Sequence, residues 1–232
     1  MHVKPIICTL ASALAAAIAA PTAAAHDFAT GTDPEWSPDG KELVYVRGLD
    51  DAADLWLMDA NGRHKRPLLR TPDVESDPSW SPDGTRIAYS ARRGNERHVF
   101  VIQVTTRTVT QVTHSALYDY EPDWSPDGSR LVFSRYDSDE DRSQLFLSNA
   151  DGSQERQVVV DDGDDVGPRW SPDGRFVAFV GGPDDEGYIE LVEVATYAHT
   201  RLTHGGEEYS AAWTADGRIL YANDAGEDET SG

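Results

Sequence analysis

The chain has 232 residues, of which 41 are Asp or Glu and 20 are Lys or Arg, so its formal net charge is −21. A surface this acidic repels phosphate backbones, which excludes nucleic acid as a partner and favours a basic one. The single cysteine, Cys8, leaves no pair for a disulfide, so stability must come from packing and backbone pairing.

Residues 1–25 have the pattern of an export signal peptide. A short basic start, Met-His-Val-Lys, precedes an apolar run of 15 residues from Ile6, and three alanines end at Ala25. This order of regions predicts cleavage after Ala25 and a periplasmic or secreted protein. The apolar run is too short and too rich in alanine for stable membrane insertion, although an uncleaved anchor is the alternative.

Five tryptophans recur at an almost constant interval in residues 26–222. The intervals are 44, 44, 46 and 43 residues, and four of the five copies keep the sequence Trp-Ser-Pro-Asp-Gly intact. A period in the low forties with short strands is typical of the blades of a β-propeller. The five are Trp36, Trp80, Trp124, Trp170 and Trp213.

Each repeat predicts four strands in chain order. The first strand holds the tryptophan and ends in Ser-Pro-Asp-Gly, whose last three residues suit a tight turn. The second is an apolar run that starts at Leu43, Ile87, Leu131, Val177 and Ile219 in the five copies. The third starts at Leu55, Val99, Leu145 and Ile189, and the fourth is weaker in sequence, as expected of an outer edge. Many strands are apolar on both faces, which predicts sheets packed face to face and almost no helix.

The fifth repeat stops after its second strand. Residues 223–232 that follow are polar and acidic, in the manner of a flexible tail. We therefore expect an all-β propeller of four full four-stranded blades plus a half blade. It forms either an open arc or a four-bladed ring with an extra hairpin.

The pattern Pro-x-Trp-Ser-Pro-Asp-Gly, followed by Ile-Ala-Tyr and then Leu-Trp-Leu-Met-Asp, resembles the repeat of the TolB-like β-propeller family. The resemblance covers about residues 34–222. TolB itself has six blades, so the resemblance implies that this chain is an open arc or a fragment of such a ring. TolB also carries an α/β domain before its propeller, which is missing between residue 25 and the first blade. A direct transfer of TolB's role in the Tol–Pal envelope system is therefore not implied.

One aspartate stands in the turn of every repeat. A ring of five aspartates could suggest catalysis or metal binding, but the Pro-Asp-Gly setting accounts for each of them as a turn residue. We interpret them as structural. They are Asp39, Asp83, Asp127, Asp173 and Asp216.

A second acidic set emerges when the repeats are aligned on their tryptophans. Five residues before the tryptophan stand Glu75, Asp119, Asp165 and Glu208, and three residues before it stand Asp33, Asp77 and Glu121. These positions lie where the chain enters the innermost strand, so we expect an acidic collar at the mouth of the central channel. The collar is predicted to bind a basic peptide, a loop of an envelope protein or a cation. The alternative is that these carboxylates accept hydrogen bonds from loop backbone in each blade.

No catalytic residue set, cofactor or metal site is predicted. The sequence has no Gly-x-Ser-x-Gly elbow, and its histidines show no pair at metal-ligand spacing. We therefore expect an exported, non-catalytic binding module. The alternative is the propeller portion of a prolyl-oligopeptidase-like hydrolase or another envelope enzyme, such as a sugar-active one.

Overall fold

A computed structural model of the protein describes residues 31–48, 52–159, 163–182, 187–204 and 208–223. The predicted signal peptide and acidic tail lie outside these ranges, apart from Asn223. The described residues form eighteen antiparallel strands and no helix, so none of them forms a helix long enough to cross a bilayer. The strands build five successive sheets, and in the first four of them neighbouring strands follow chain order.

The first four sheets are complete blades of four strands, and the fifth has two. The first blade contains β1 Gly31–Trp36, β2 Glu42–Arg47, β3 Asp54–Asp59 and β4 Arg66–Leu69. The second contains β5 Val74–Trp80, β6 Arg86–Arg93, β7 Glu96–Gln103 and β8 Val109–Gln111. The third contains β9 Tyr118–Trp124, β10 Arg130–Asp137, β11 Arg142–Asn149 and β12 Arg156–Gln157. The fourth contains β13 Val166–Trp170, β14 Phe176–Gly181, β15 Tyr188–Glu193 and β16 His199–Arg201, and the half blade contains β17 Glu208–Trp213 and β18 Ile219–Asn223.

The Ser-Pro-Asp-Gly turns are held by a small hydrogen-bond network. In the third blade, Ser125 Oγ donates to Asp127 Oδ1 at 2.6 Å, and the backbone N–H groups of Ser129 and Arg130 donate to Asp127 Oδ1 and Ser125 Oγ. The hydrogen bond from Ser125 is the main cause that lowers the pKa of Asp127 to about 2. Gly128 has φ of 68°, a left-handed conformation that glycine adopts without strain. These contacts account for the repeated aspartate without any ligand.

The hydrophobic core consists of seams between successive blades. Opposite faces of one strand serve two seams, since Ile87 and Tyr89 of β6 pack towards the first blade and Ala88 packs towards the third. Phe133 and Phe179 occupy the position of Tyr89 in the next two blades, and both are fully buried. This two-sided burial explains why the strand sequences are apolar at consecutive positions.

The innermost strands β9 and β17 are also tied to the blades before them by hydrogen bonds of their tryptophan rings. Trp124 Nε1 donates to the Ser79 carbonyl at 3.1 Å, and Trp213 Nε1 donates to the Arg169 carbonyl at 3.0 Å. The Arg86 guanidinium lies 4.4 Å from the centre of the Trp124 ring, where a cation is attracted to the aromatic face. Trp124 and Trp213 are therefore inter-blade residues, whereas Trp36 packs against its own blade.

The blades form an open arc. Contacts between innermost strands run in order from β1 to β5, β9, β13 and β17, and among the described strands no ladder joins the last sheet to the first. The predicted fold, four complete propeller blades plus a half blade, is confirmed. Of the two arrangements left open by the sequence, the described residues adopt the arc.

Candidate functional site

The innermost strands β1, β5, β9 and β13 bound the concave side of the arc, which we call the inner cleft. Each of them carries a β-bulge three residues before its tryptophan. The bulged residues Asp33, Asp77 and Glu121 have φ of 49°, 50° and 52°, and Gly167 has φ of 62° at the same position in the fourth blade. A left-handed conformation is uncommon for a residue with a side chain and often marks a functional position.

The bulges bring three of the predicted carboxylates close together. Burial and the neighbouring Asp77 raise the pKa of Asp33 to about 6, and burial and Asp77 raise the pKa of Glu121 to about 7. Glu121 Oε2 accepts a hydrogen bond from the Gly167 N–H at 2.7 Å, which links the third blade to the fourth. Asp77 therefore lies between two other carboxylates.

Two further carboxylates of the cleft were not predicted. Glu35 Oε2 accepts the Trp80 N–H at 2.7 Å, and Asp123 Oδ2 accepts the Trp170 N–H at 2.7 Å. Burial and the charge of Asp123 raise the pKa of Glu35 to about 8, and burial raises the pKa of Asp123. Both stand one residue before the tryptophan of their repeat. The other three repeats have Ser79, Arg169 and Ala212 at this position, so the alignment of repeats shows no acidic pattern there. Asp33, Glu35, Asp77, Glu121 and Asp123 are the cleft carboxylates hereafter.

Two arginines offset part of this negative charge. Arg97 donates to Ser76 Oγ at 2.9 Å and lowers the pKa values of Asp33 and Glu121, although burial outweighs it in both. Arg169 acts in the same direction on Glu35 and Glu121. With all five carboxylates ionised, the cleft would hold two positive and five negative charges. Within the described ranges, no three His, Cys, Asp or Glu side chains are arranged to hold a metal ion.

The other four predicted residues lie at the seams between blades. Their backbones carry inter-blade hydrogen bonds, in which the N–H groups of Glu75, Asp165 and Glu208 donate to the Ala53, Ser143 and Gly187 carbonyls. Their side chains, like that of Asp119, are buried. Burial is the main cause that raises the pKa of Glu75 to about 7. The seven predicted residues therefore do not form one collar, and a role of these four in partner binding stays a prediction.

Asp119 has a structural partner of its own. The Arg135 guanidinium donates to both of its carboxylate oxygens, at 2.5 and 3.2 Å, and also to Glu155 at 2.7 Å. Ser115 Oγ donates to Asp119 Oδ2 at 3.0 Å. A buried carboxylate engaged in this way stabilises the third blade. Asp119 was expected at the mouth of the channel, and the structure instead places it inside the blade.

The raised pKa values predict that the protein loses stability as the pH rises. The unfolded chain releases carboxyl protons near pH 4, whereas the folded protein holds those of Asp33, Glu121 and Glu35 to about 6, 7 and 8. Between these limits the native state binds more protons, so the free energy of unfolding falls with rising pH. Below about pH 4 the turn aspartates protonate, and the stability from their lowered pKa is lost in turn.

Denaturant unfolding at pH 5, 7 and 9 measures this dependence. We expect the highest free energy of unfolding at pH 5 and the lowest at pH 9. Glu35→Gln should weaken the dependence from pH 5 up to about pH 8, because glutamine accepts the Trp80 N–H without carrying a charge. A free energy of unfolding that increases from pH 5 to 9 would contradict the assigned pKa shifts.

Comparisons with known proteins agree with this fold. A family model described as the TolB beta propeller domain matches residues 31–230. A putative TolB from Agrobacterium tumefaciens is similar with a TM-score of 0.70 and 24% identity, over 82% of this chain and 74% of that one. TolB from Acinetobacter baumannii is similar with a TM-score of 0.72 and 20% identity, over 82% of this chain and 48% of that one.

An enzyme shares the same fold. An oligogalacturonate lyase in complex with manganese is similar with a TM-score of 0.66 and 19% identity, over 81% of this chain and 57% of that one. The chain thus spans less than two thirds of this lyase and of the A. baumannii protein. A search among curated proteins gave no match. At these identities the similar structures show the fold alone, and function has to be argued from the site.

Proposed function

The chain belongs to the TolB β-propeller domain family, and we propose that it is an exported, non-catalytic binding module that docks a protein or peptide partner in the cell envelope. The observation that carries this proposal is the inner cleft, where five half-buried carboxylates share two guanidinium groups. An excess of one charge in a concave, partly desolvated site attracts the opposite charge and speeds association. The partner therefore presents Lys or Arg to the cleft. The predicted signal peptide supports the envelope as the place of binding.

The arrangement of the carboxylates favours a basic side chain, which donates hydrogen bonds, over a cation that supplies charge alone. Asp77 lies between Asp33 and Glu121, and burial first and the charge of Asp77 second raise the pKa values of the outer two. A guanidinium or ammonium group would relieve this repulsion and supply hydrogen-bond donors to several carboxylate oxygens at once. Binding would then displace the protons that the free cleft retains.

Affinity capture from an envelope extract tests the proposal with two matched variants. The cleft variant carries Asp33→Asn, Asp77→Asn and Glu121→Gln. The loop variant loses three exposed carboxylates at the connections between second and third strands, through Glu96→Gln at the start of β7 and Asp139→Asn and Glu140→Gln in the loop before β11. Both variants lose three carboxyl groups, and they differ in where those groups lie.

We expect the wild-type protein and the loop variant to retain the same partner, and the cleft variant to lose it. Retention should weaken as salt is raised, because exposed charge interactions are screened. Equal capture by all three proteins would show that the cleft carboxylates are not the binding site.

The alternative function is the propeller portion of an envelope enzyme, since a lyase shares the fold and the chain spans part of its length. The prolyl-oligopeptidase-like version of this alternative needs an appended hydrolase domain. An in-frame Gly-x-Ser-x-Gly domain in the genomic sequence after Gly232 would favour it over a separate binding module.

A further inference from the structure

A pocket opens between the third and fourth blades, beside the Ser-Pro-Asp-Gly turn of the fourth. Its volume is about 260 Å³, and every residue that lines it belongs to a blade with all four strands. The third blade contributes Arg130, at the start of β10. The fourth blade contributes the rest of the lining, which consists of Gly174, Arg175, Glu193, Val194 and Ala195. We call this space the arginine pocket.

Backbone pairing holds the fourth-blade side of the arginine pocket in place. The Val194 N–H donates to the Arg175 carbonyl at 2.9 Å, and the Gly174 N–H donates to the Ser171 carbonyl at 2.9 Å. Val194 is also buried, in the hydrophobic core between the two blades. The lining of the pocket is therefore part of the packed fold.

The guanidinium of Arg130 is positioned by an aromatic ring and has no acceptor. It lies 4.8 Å from the centre of the Trp170 ring, at the end of the first strand of the fourth blade. Among the described residues, none accepts a hydrogen bond from this guanidinium or forms an ion pair with it. A guanidinium that stacks on a ring keeps the N–H donors at its edge available for an acceptor.

The equivalent arginine one blade earlier shows what this position can bind. Arg86 lies 4.4 Å from the centre of the Trp124 ring, and its Nη2 also donates to the Gly128 carbonyl at 3.0 Å. Gly174 is the counterpart of Gly128 in the next repeat, but its carbonyl receives no such bond from Arg130. The two seams thus share the stacked arginine and differ in the acceptor.

The fourth blade adds a second guanidinium to the pocket. Arg175 occupies the position of Thr85 and Ser129, whose hydroxyls donate to the turn aspartates of their own blades. Its side chain is 65% exposed, and Nη2 lies 3.8 Å from Glu193 Oε1. Glu193 Oε2 accepts the Thr196 hydroxyl at 2.6 Å, so this carboxylate serves two donors.

The lining of the arginine pocket therefore carries two positive charges and one negative charge, in a protein whose formal net charge is −21. The planar donor fork of a guanidinium matches the paired oxygens of a carboxylate or a phosphate. We propose that the arginine pocket binds the carboxylate or phosphate group of a small molecule, with Arg130 and Arg175 as the donors.

This site is independent of the proposed function. It uses none of the cleft carboxylates and neither of the two arginines that offset their charge. The loss of one site would therefore leave the other intact, and each can be tested by itself.

Titration of the isotope-labelled full chain with sodium phosphate or sodium succinate tests the proposal, with sodium chloride keeping the ionic strength constant. NMR follows the Nε–H signals of the arginines. We expect the signals of Arg130 and Arg175 to shift and to saturate in the millimolar range, as suits anions of few heavy atoms. The Arg86 signal should stay in place, because its guanidinium already has an acceptor. Saturation with one anion alone would support the proposal and identify the group that binds.

Two variants that each lack one exposed guanidinium complete the test. Arg175→Gln should weaken binding about tenfold or more, the loss expected when a charged hydrogen-bond donor is removed. Arg218→Gln is the matched control and should leave the affinity unchanged, since Arg218 is 79% exposed and pairs with Asp216 at 2.9 Å.

Three results would overturn the proposal. Shifts that grow without saturation, or equal affinity in the two variants, would indicate general screening of exposed charge. Absence of shifts with both anions would show that the pocket does not bind an oxyanion.

Discussion

Replacing Trp124 with alanine is expected to lower the free energy of unfolding by about 3–5 kcal/mol, as for other buried large side chains. The Trp124 ring is 4% exposed and packs in the seam between the second and third blades. The substitution also removes the hydrogen bond to the Ser79 carbonyl and the contact with the Arg86 guanidinium. Chemical denaturation at pH 5, where the fold is predicted to be most stable, measures the loss.

Trp213→Ala is the matched control for this prediction. Trp213 makes the same kind of hydrogen bond, to the Arg169 carbonyl, but it is half-buried because it lines the open groove beside β18. Its replacement should therefore destabilise the protein much less. Equal losses in the two variants would contradict the assignment of Trp124 to a closed seam and Trp213 to an open one.

Replacing Asp119 with alanine is expected to cost about 3 kcal/mol. Removing one partner of a buried ion pair usually costs about 3–5 kcal/mol, because the other charge stays buried and uncompensated. Arg135 keeps its contact with Glu155, which places the expected loss at the lower end of that range. Denaturant unfolding of Asp119→Ala measures the loss, and Asp139→Asn on an exposed loop should have no measurable effect.

A double variant separates the ion pair from simple packing. Asp119→Leu with Arg135→Met replaces both charges by apolar groups, so no buried charge remains unpaired. We expect it to recover most of the stability lost in Asp119→Ala, since apolar replacement of a buried pair is often neutral. If the double variant is less stable than the single one, the loss does not arise from the uncompensated guanidinium.

The fold could be predicted from sequence because its determinants recur in every blade. The Ser-Pro-Asp-Gly turn, the inter-blade tryptophan and the two-sided apolar strands each stand at a fixed position in the repeat. Asp33, Asp77 and Glu121 were found in the same way, since they occupy one position of the alignment.

The sequence repeat did not show that three of the predicted carboxylates line the cleft while the other four lie at the seams between blades. Glu75 and Asp77 were predicted to lie in one collar, and residues two apart in a regular strand do lie on the same face. The bulge and the positive φ of Asp77 break this alternation, and Glu75 is buried at the seam while Asp77 faces the cleft. A bulge leaves no clear trace in sequence when its residue is not glycine.

Side chains that do not recur in every blade were also not predicted from the alignment of repeats. Arg135 pairs with Asp119, but the equivalent strand positions opposite Glu75 and next to Asp165 are Ala91 and Gly181. Glu35 and Asp123 appear in alternate repeats only. An alignment of repeats detects what the repeats share, so these individual side chains became visible only in three dimensions.

Calorimetric titration with trilysine at pH 7.5, in two buffers of different ionisation enthalpy, tests most directly whether the cleft binds cationic groups. Because Glu35 and Glu121 have pKa values of about 8 and 7, the free cleft holds protons that a bound ammonium group should displace. We expect binding with net proton release in the wild-type protein and the loop variant. The cleft variant should bind more weakly and release fewer protons. Equal affinity in all three proteins, with no proton release, would contradict the proposal that the cleft carboxylates receive the partner.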